Sequence, residues 1–267
     1  MIVALVSKKG GVGKTTSTVN LAAALASRGR RVLVVDLDSQ GSATLSLGLS
    51  RGQAARSAAD LLLGGVSAAD CVQATSTPNL DLIPASADLI HADFELGSLR
   101  TKERRLRDRL GDLPAAYDFV FIDCSPGLTL LPINALVAAD RFIVPAVPQY
   151  LAWEGIPNLL AAVDRIAGRV GARPELAGIL LTMVDYRLKS TRDTADALRA
   201  QFGAKVFAVE IRVNVRLAEA PSKGQPIFAY DPSATGAQAY GLLAEELLLR
   251  TSGEAPGHPS PKEESSP

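Results

Sequence analysis

The chain alternates between short apolar runs and longer stretches whose apolar positions recur at helical spacing. The short runs are 2–6 (IVALV), 32–36 (VLVVD), 80–83 (LDLI), 119–123 (FVFID), 142–147 (FIVPAV), 177–183 (AGILLTM) and 205–209 (KVFAV). Several are apolar at consecutive positions, the pattern of a strand covered by helices on both faces. Between them the spacing predicts helices near residues 14–28, 99–110, 130–139, 154–170, 190–202 and 236–250. Alternation of strand and helix with tight connections predicts an α/β fold: one domain, a doubly wound, mostly parallel sheet flanked by helices. Ligands of such sheets lie beyond the carboxyl ends of the strands, so chemistry is expected in the loops that follow them.

Residues 251–267 (TSGEAPGHPSPKEESSP) break the pattern. Rich in Pro, Ser, Gly and Glu and without apolar periodicity, they cannot offset the entropy of ordering and are expected to form a disordered tail after a domain spanning 1–250. Composition narrows the picture further. A chain of 267 residues, 47% of them apolar, can bury a core without disulfides or metals. Its formal net charge is zero, so a nucleic-acid surface, if any, must be a local patch. The two cysteines, Cys71 and Cys124, form no CxxC or Cys/His cluster, which points to a reducing cytoplasm and away from a thiolate metal site. Cys124 reads as a small buried residue. No apolar run approaches the roughly 20 residues a membrane helix needs, and the opening MIVALV is too short for a signal peptide.

The first predicted strand leads into Lys8-Lys9-Gly10-Gly11-Val12-Gly13-Lys14-Thr15-Thr16 and then a helix. Glycines let the backbone turn sharply with its N–H groups towards an anion, and the helix adds its positive end. Lys14 would reach the β- and γ-phosphates of a nucleotide, and the Thr15 hydroxyl would ligate Mg²⁺. The generic phosphate-loop pattern G-x-x-x-x-G-K-[ST] fails at one position, where Lys8 stands for the first glycine. The second strand ends in Val35-Asp36-Leu37-Asp38-Ser39-Gln40-Gly41-Ser42. Alternation puts Asp36 and Asp38 on one side of the strand end, where one carboxylate can position a water while the other assists the metal or the structure. Asp123 closes another apolar strand, the arrangement that holds Mg²⁺ through water or through Thr15.

Lys9 followed by GGVGKT resembles the deviant Walker A motif, K-G-G-x-x-K-[ST], of the family that includes ParA/Soj partition ATPases, MinD and the nitrogenase iron protein. There the early lysine crosses a dimer interface to the partner's nucleotide, so the resemblance gives Lys9 that role. Asp36 to Ser42 is similar to the D-x-D-P-Q-G-N stretch of ParA/Soj proteins, with Ser39 and Ser42 as departures; the resemblance makes Asp38 the residue orienting the hydrolytic water. Ser125-Pro126-Gly127 departs from the usual P-P-S after the magnesium aspartate, while Leu130 to Leu136 (LLPINAL) is similar to L-T-x-N-A-L. Residues 148–155 (PQYLAWEG), 214–222 (NVRLAEAPS) and 226–232 (PIFAYDP) also resemble Soj-type proteins. Ile211-Arg212-Val213 stands where those have I-P-R, in a loop that contacts adenine, and Asn214 is expected near the base.

The resemblance implies bound ATP and Mg²⁺, an ATP-dependent homodimer and binding of double-stranded DNA without sequence preference. It also implies release of the DNA when hydrolysis is stimulated by a ParB-like centromere-binding partner. Arg187 and Arg216 match two DNA-contact positions, with Lys189, Arg192, Lys205 and Lys223 around them. Between residues 185 and 223 eight Lys/Arg face five Asp/Glu. The segment 99–110 (LRTKERRLRDRL) reads as a surface helix, or as a supplementary DNA or partner contact. The last predicted helix is acidic on its polar face, unlike the basic helix with which MinD-type proteins dock on membranes. A cytoplasmic, nucleoid-associated ATPase of DNA segregation is expected. The alternatives are a ParA-like ATPase that positions a protein cargo or the cell-division machinery, and a metabolic phosphate-loop enzyme.

Overall fold

The structure, a computed structural model, describes residues 1–50, 52 and 54–251; the expected tail, apart from Thr251, lies outside the described residues. Seven strands, β1 (Ile2–Leu5), β2 (Val32–Leu37), β3 (Gln73–Ala74), β4 (Leu80–Ile83), β5 (Phe119–Cys124), β6 (Arg141–Ala146) and β7 (Glu175–Leu181), form one sheet in the order β3-β4-β2-β5-β1-β6-β7. Every neighbouring pair is parallel except β3 with β4. From β1 the chain steps outward to β2 and β4 on one side and to β6 and β7 on the other. The crevice beyond the carboxyl ends of β1, β2 and β5 is therefore a switch point of the topology, the place where such sheets bind ligands.

The helices are α1 (Lys14–Ala26), α2 (Ser42–Ser46), α3 (Ala58–Leu63), α4 (Leu89–Gly97), α5 (Arg105–Leu110), α6 (Leu130–Ala138), α7 (Tyr150–Val170), α8 (Lys189–Phe202), α9 (Val215–Glu219), α10 (Ile227–Tyr230) and α11 (Thr235–Thr251). Period-2 alternation sends successive strand residues into two cores, one on each face. Val3, Leu5, Phe119 and Phe121 pack with Leu21 and Leu25 of α1 and Leu243 and Leu247 of α11. Ala4, Val6, Val120 and Ile122 pack with residues of α3 to α8, among them Ala135, Leu159 and Leu198. All six residues of β2 and of β5 are buried, which explains their continuous apolar pattern.

Two expectations change. The run 205–209 is not a strand: Val206 makes a single bridge to Ile179, and Glu246 of α11 then takes the N–H groups of Ala208 (2.8 Å) and Val209 (2.9 Å). A side-chain carboxylate thus replaces the ladder partner an eighth strand would need. The predicted helix over 99–110 forms only from Arg105, and α4 precedes it. Asn134 decides the start, accepting from Leu106 N (2.9 Å) and donating to Lys102 O (2.7 Å). Arg105 and Arg109 of this basic segment turn inward, donating to the terminal carbonyls of α3 at Leu62 (2.7 Å) and Leu61 (2.8 Å), and Arg109 also to Val66. Their charges complement the negative end of α3. Among the described residues no helix is long and apolar enough to cross a membrane.

Candidate functional site

The loop between β1 and α1 makes two left-handed turns, at Gly11 (φ 71°) and Gly13 (φ 79°), which side chains rarely allow. Gly13 is the N-cap of α1 and brings no capping side chain. The first-turn N–H groups of that 13-residue helix therefore face an open cleft rather than a cap. The cleft holds about 600 Å³ and is lined by Gly11, Gly13, Lys14, Thr15, Thr16, Asp38 and Gln40, with Pro126, Met183, Pro221 and Ser222 opposite. A groove of about 840 Å³ at the amino edge of the sheet, beside Ile2, Arg141 and Glu175, has no such cradle, and Arg141 there is paired with Glu175 at 3.0 Å.

Beneath the cleft, Lys14 is only 6% exposed; its Nζ donates to Ser7 Oγ at 3.1 Å and approaches Lys9 O at 3.5 Å. Burial lowers the pKa of this ammonium, and Asp123, Cys124 and Asp38 pull it back up. Thr15 Oγ1 donates to Asp123 Oδ2 (2.7 Å) and Thr18 Oγ1 to Asp123 Oδ1 (3.1 Å). Asp36 and Asp123 lie side by side in the β2–β5 register, both fully buried. Burial, and then the neighbouring Asp36, hold the Asp123 carboxyl well above the ordinary range. Burial raises Asp36 likewise, against hydrogen bonds from Thr44 and Asp38 that lower it. Asp123, buried beside a second carboxylate with one nearby ammonium, is a group whose charge a divalent cation would stabilise. Among the described residues no cluster of three or more His, Cys, Asp or Glu could by itself cage a metal. A hydroxyl and a carboxylate beside a phosphate cradle suit Mg²⁺, which keeps waters and takes phosphate oxygens.

The other expected residues fall in different places. Asp38, half-buried, lines the cleft and accepts from Gln40 N at 3.0 Å. Asp36, expected to assist the metal or the structure, faces α2: it accepts from Thr44 N (2.8 Å), Thr44 Oγ1 (2.7 Å) and Asp38 N (3.1 Å). It ties β2 to α2 and positions the backbone of Asp38. Lys9 is exposed, away from the cleft lining, and donates to Gln149 Oε1 at 3.0 Å. Gly10 and Val12 complete the loop, and Thr182 Oγ1 secures Val12 O at 2.9 Å. Asn214 caps α9, accepting from Leu217 N (3.2 Å), and donates to Thr235 Oγ1 (2.8 Å). It is not among the cleft-lining residues. Cys124 is fully buried and burial pushes its thiol up, which leaves it inert.

Gly127, a departure from the family pattern, adopts φ 101° and donates its N–H to Ser7 O at 3.0 Å, latching the loop after β5 onto the phosphate loop. The basic positions are all exposed: Lys189 and Arg192 on α8, Lys223 after α9, Arg187 bonded to Asp185 (2.8 and 2.6 Å), and Arg216 bonded to Glu219 (2.9 Å). Ser7, Thr18, Thr44, Gln149 and Met183 were not singled out from the sequence. Thr18 was findable, since it lies one helical turn from Thr15 and Lys14. Met183 carries a left-handed φ of 50° at the cleft mouth, a conformation no sequence pattern announces.

A family model described as an AAA domain matches residues 1–177. The chain is 42% identical over 251 residues to the chromosome partitioning protein ParA of Caulobacter vibrioides, covering 93% of this chain and 94% of that one. It is 44% identical over 250 residues to the chromosome-partitioning ATPase Soj of Thermus thermophilus, covering 93% and 95%. The crystal structure of cobyrinic acid a,c-diamide synthase from Mycobacterium smegmatis, with bound ATP analog and magnesium, is similar with a TM-score of 0.82 and 31% identity, covering 95% of this chain and 96% of that one. With a glycine cradle, a buried lysine and a hydroxyl–carboxylate pair on a doubly wound sheet, and with this likeness along nearly its whole length, the chain belongs to the ParA/Soj family of chromosome-partitioning ATPases.

Proposed function

We propose that the protein is an ATP- and Mg²⁺-dependent ATPase of DNA segregation that closes as a dimer around two nucleotides, holds DNA non-specifically and releases it on hydrolysis. The observation that carries this reading is the separation of the two loop lysines. Lys14 is buried beside Asp123, whereas Lys9 leans out to Gln149, so one copy lends its own cleft a single ammonium. A second cation on the transferring phosphoryl group then comes from Lys9 of another copy, much as an arginine finger does. Mg-ATP supplies a γ-phosphoryl group open to attack by water, with its charge shared by the metal.

The chain's own residues do the rest. Backbone N–H groups from Gly10 to Thr16 face the phosphates, and Lys14 neutralises them in a seat with little water. The Thr15 hydroxyl, which Asp123 orients, and Asp123 itself would hold the metal. Asp38, its backbone steadied by Asp36, orients the attacking water. Asn214, which caps α9 through Leu217 N, would help hold the segment leading to the cleft-lining Pro221 and Ser222, beside which the base would sit. Arg187, Lys189, Arg192, Arg216 and Lys223 give each copy a weak phosphate-binding surface, which dimerisation doubles into useful avidity. A ParB-like partner would trigger hydrolysis, and the protein would work in the cytoplasm on the nucleoid.

Light scattering and retention of random duplex DNA, each with ATP and Mg²⁺, test the reading. Asp38→Ala should accumulate as a DNA-bound dimer, Lys9→Ala should stay monomeric, and Arg216→Ala should dimerise yet lose DNA. A wild-type protein that stays monomeric with a non-hydrolysable ATP analogue and Mg²⁺ would refute the mechanism.

A further inference from the structure

The loop ahead of α9 departs from the family pattern at Ile211-Arg212-Val213, and the resemblance expects it at the adenine. In the structure its residues part company. Ile211 is buried and donates its N–H to Leu181 O at 2.8 Å, prolonging the sheet edge. Arg212 makes a parallel bridge with Val184, beside the turn that carries Tyr186 and Arg187. Its side chain is 71% exposed and it is not among the residues lining the cleft.

What holds Arg212 is a small cluster on the flank of α8. Its guanidinium carbon stands 5.3 Å from the centroid of the Tyr186 ring, and that of Arg192 stands 5.9 Å from the same centroid. The ring is fixed at its hydroxyl, which donates to Glu210 Oε2 at 2.7 Å. Arg199 donates to the same oxygen at 2.9 Å, and Arg212 Nε to Glu210 Oε1 at 3.3 Å. An aromatic face attracts a guanidinium while leaving its in-plane N–H donors directed outward, towards oxygen acceptors. Arg187, next in sequence to Tyr186, is 84% exposed and steadied by Asp185. Within the cluster the arginines 187, 192, 199 and 212 face two carboxylates, Asp185 and Glu210, so positive charge is in excess by two (4 − 2).

We propose that Arg212, together with Arg192, extends the DNA surface around Tyr186 and contacts the phosphate backbone of duplex DNA, and is no part of the base pocket. The inference rests on the DNA reading above and assigns it a residue at which this chain departs from the I-P-R pattern of the family. Spaced, pre-positioned guanidiniums on an exposed flank suit a line of phosphates; bidentate N–H pairs meet phosphate oxygens without reading sequence.

Anisotropy of a labelled random-sequence duplex, titrated with the full chain, Mg²⁺ and a non-hydrolysable ATP analogue at about 50 to 200 mM salt, tests it. Arg212→Ala should weaken DNA binding about three- to tenfold at low salt and flatten the slope of log affinity against log salt by about one per protomer. Tyr186→Leu, which removes the ring but no charge, should weaken binding by a smaller factor and leave the slope near that of wild type. Arg212→Ala matching wild type in affinity and slope overturns the proposal while leaving the DNA reading intact. So does a loss of nucleotide affinity equal to the loss of DNA affinity, since that returns Arg212 to the base. Retention of polyglutamate in preference to duplex overturns it too, in favour of an acidic protein partner. A wild type that holds no DNA in any nucleotide state is a different result: it removes the DNA reading itself and the inference with it.

Discussion

Thr15 Oγ1 donates to Asp123 Oδ2 at 2.7 Å, joining the first turn of α1 to the end of β5 across the floor of the cleft. The bond aims a hydroxyl and a carboxylate at the same point, and it does so at the cost of a carboxylate buried beside Asp36.

Asp123→Asn should therefore stabilise the nucleotide-free protein while removing its response to Mg²⁺. The folded-state pKa of Asp123 is raised above its unfolded value, so wild type loses stability as pH climbs from the ordinary carboxylate range towards neutrality. The asparagine does not titrate. The stability advantage of Asp123→Asn should be near zero around pH 4 and grow to roughly 2 kcal/mol at neutral pH, several degrees in Tm. Scanning calorimetry across pH, with and without Mg-ATP, reads both effects. An Asp123→Asn protein that is less stable than wild type at neutral pH would contradict this account.

Thr44 is the residue that makes the buried Asp36 tolerable, through two hydrogen bonds of 2.8 and 2.7 Å, while its hydroxyl accepts from Ala85 N at 2.9 Å. The isosteric Thr44→Val removes the hydroxyl and leaves a buried carboxylate and a buried N–H short of a partner. The expected loss is about 2–4 kcal/mol in urea unfolding. ATPase activity should fall as well, because Asp36 positions the Asp38 backbone at 3.1 Å.

Gly127→Ala places a side chain at φ 101°, where only glycine is at ease. The strain is expected to cost about 1–3 kcal/mol, or to flip the peptide and release the bond from Gly127 N to Ser7 O. In either case the turnover number should fall more than nucleotide affinity, since Lys14 and the glycine cradle are untouched. Stopped-flow nucleotide binding beside steady-state hydrolysis separates the two.

Arg109→Ala tests whether the basic segment 99–110 is surface charge or structure. Arg109 donates to Leu61 O and Val66 O. Its loss should lower stability by about 1.5–3 kcal/mol and leave the salt dependence of DNA binding as in wild type. A flatter salt slope would return this segment to the DNA surface.

Much of the fold was legible because parallel strands and amphipathic helices write themselves into hydropathy. Val32–Leu37 and Phe119–Cys124 are buried on both faces and so are apolar apart from the site carboxylates Asp36 and Asp123. The run 205–209 has the same look, and fails as a strand because Glu246, 38 residues beyond Ala208, takes the N–H groups of Ala208 and Val209. The short helices α2, α9 and α10 were not foreseen, since four or five residues carry no period. At the site, Lys14, Thr15 and Asp123 could be read from local motifs whose spacing is the chemistry. The partners that decide what each carboxylate does, Thr44 for Asp36 and Thr18 for Asp123, come from contacts that a strand-end motif does not encode.

By itself, then, the sequence determined the alternation of elements, the glycine-rich loop and the residues able to meet a phosphate, because each depends on neighbours within a few positions. Only the tertiary structure decided that Asp36 serves α2, that Lys9 leans towards Gln149, and that Arg212 lies on Tyr186 away from the cleft. Each of those outcomes is a choice among partners distant along the chain. Burial and the pairing of buried charge make that choice, and they exist only once the sheet has closed.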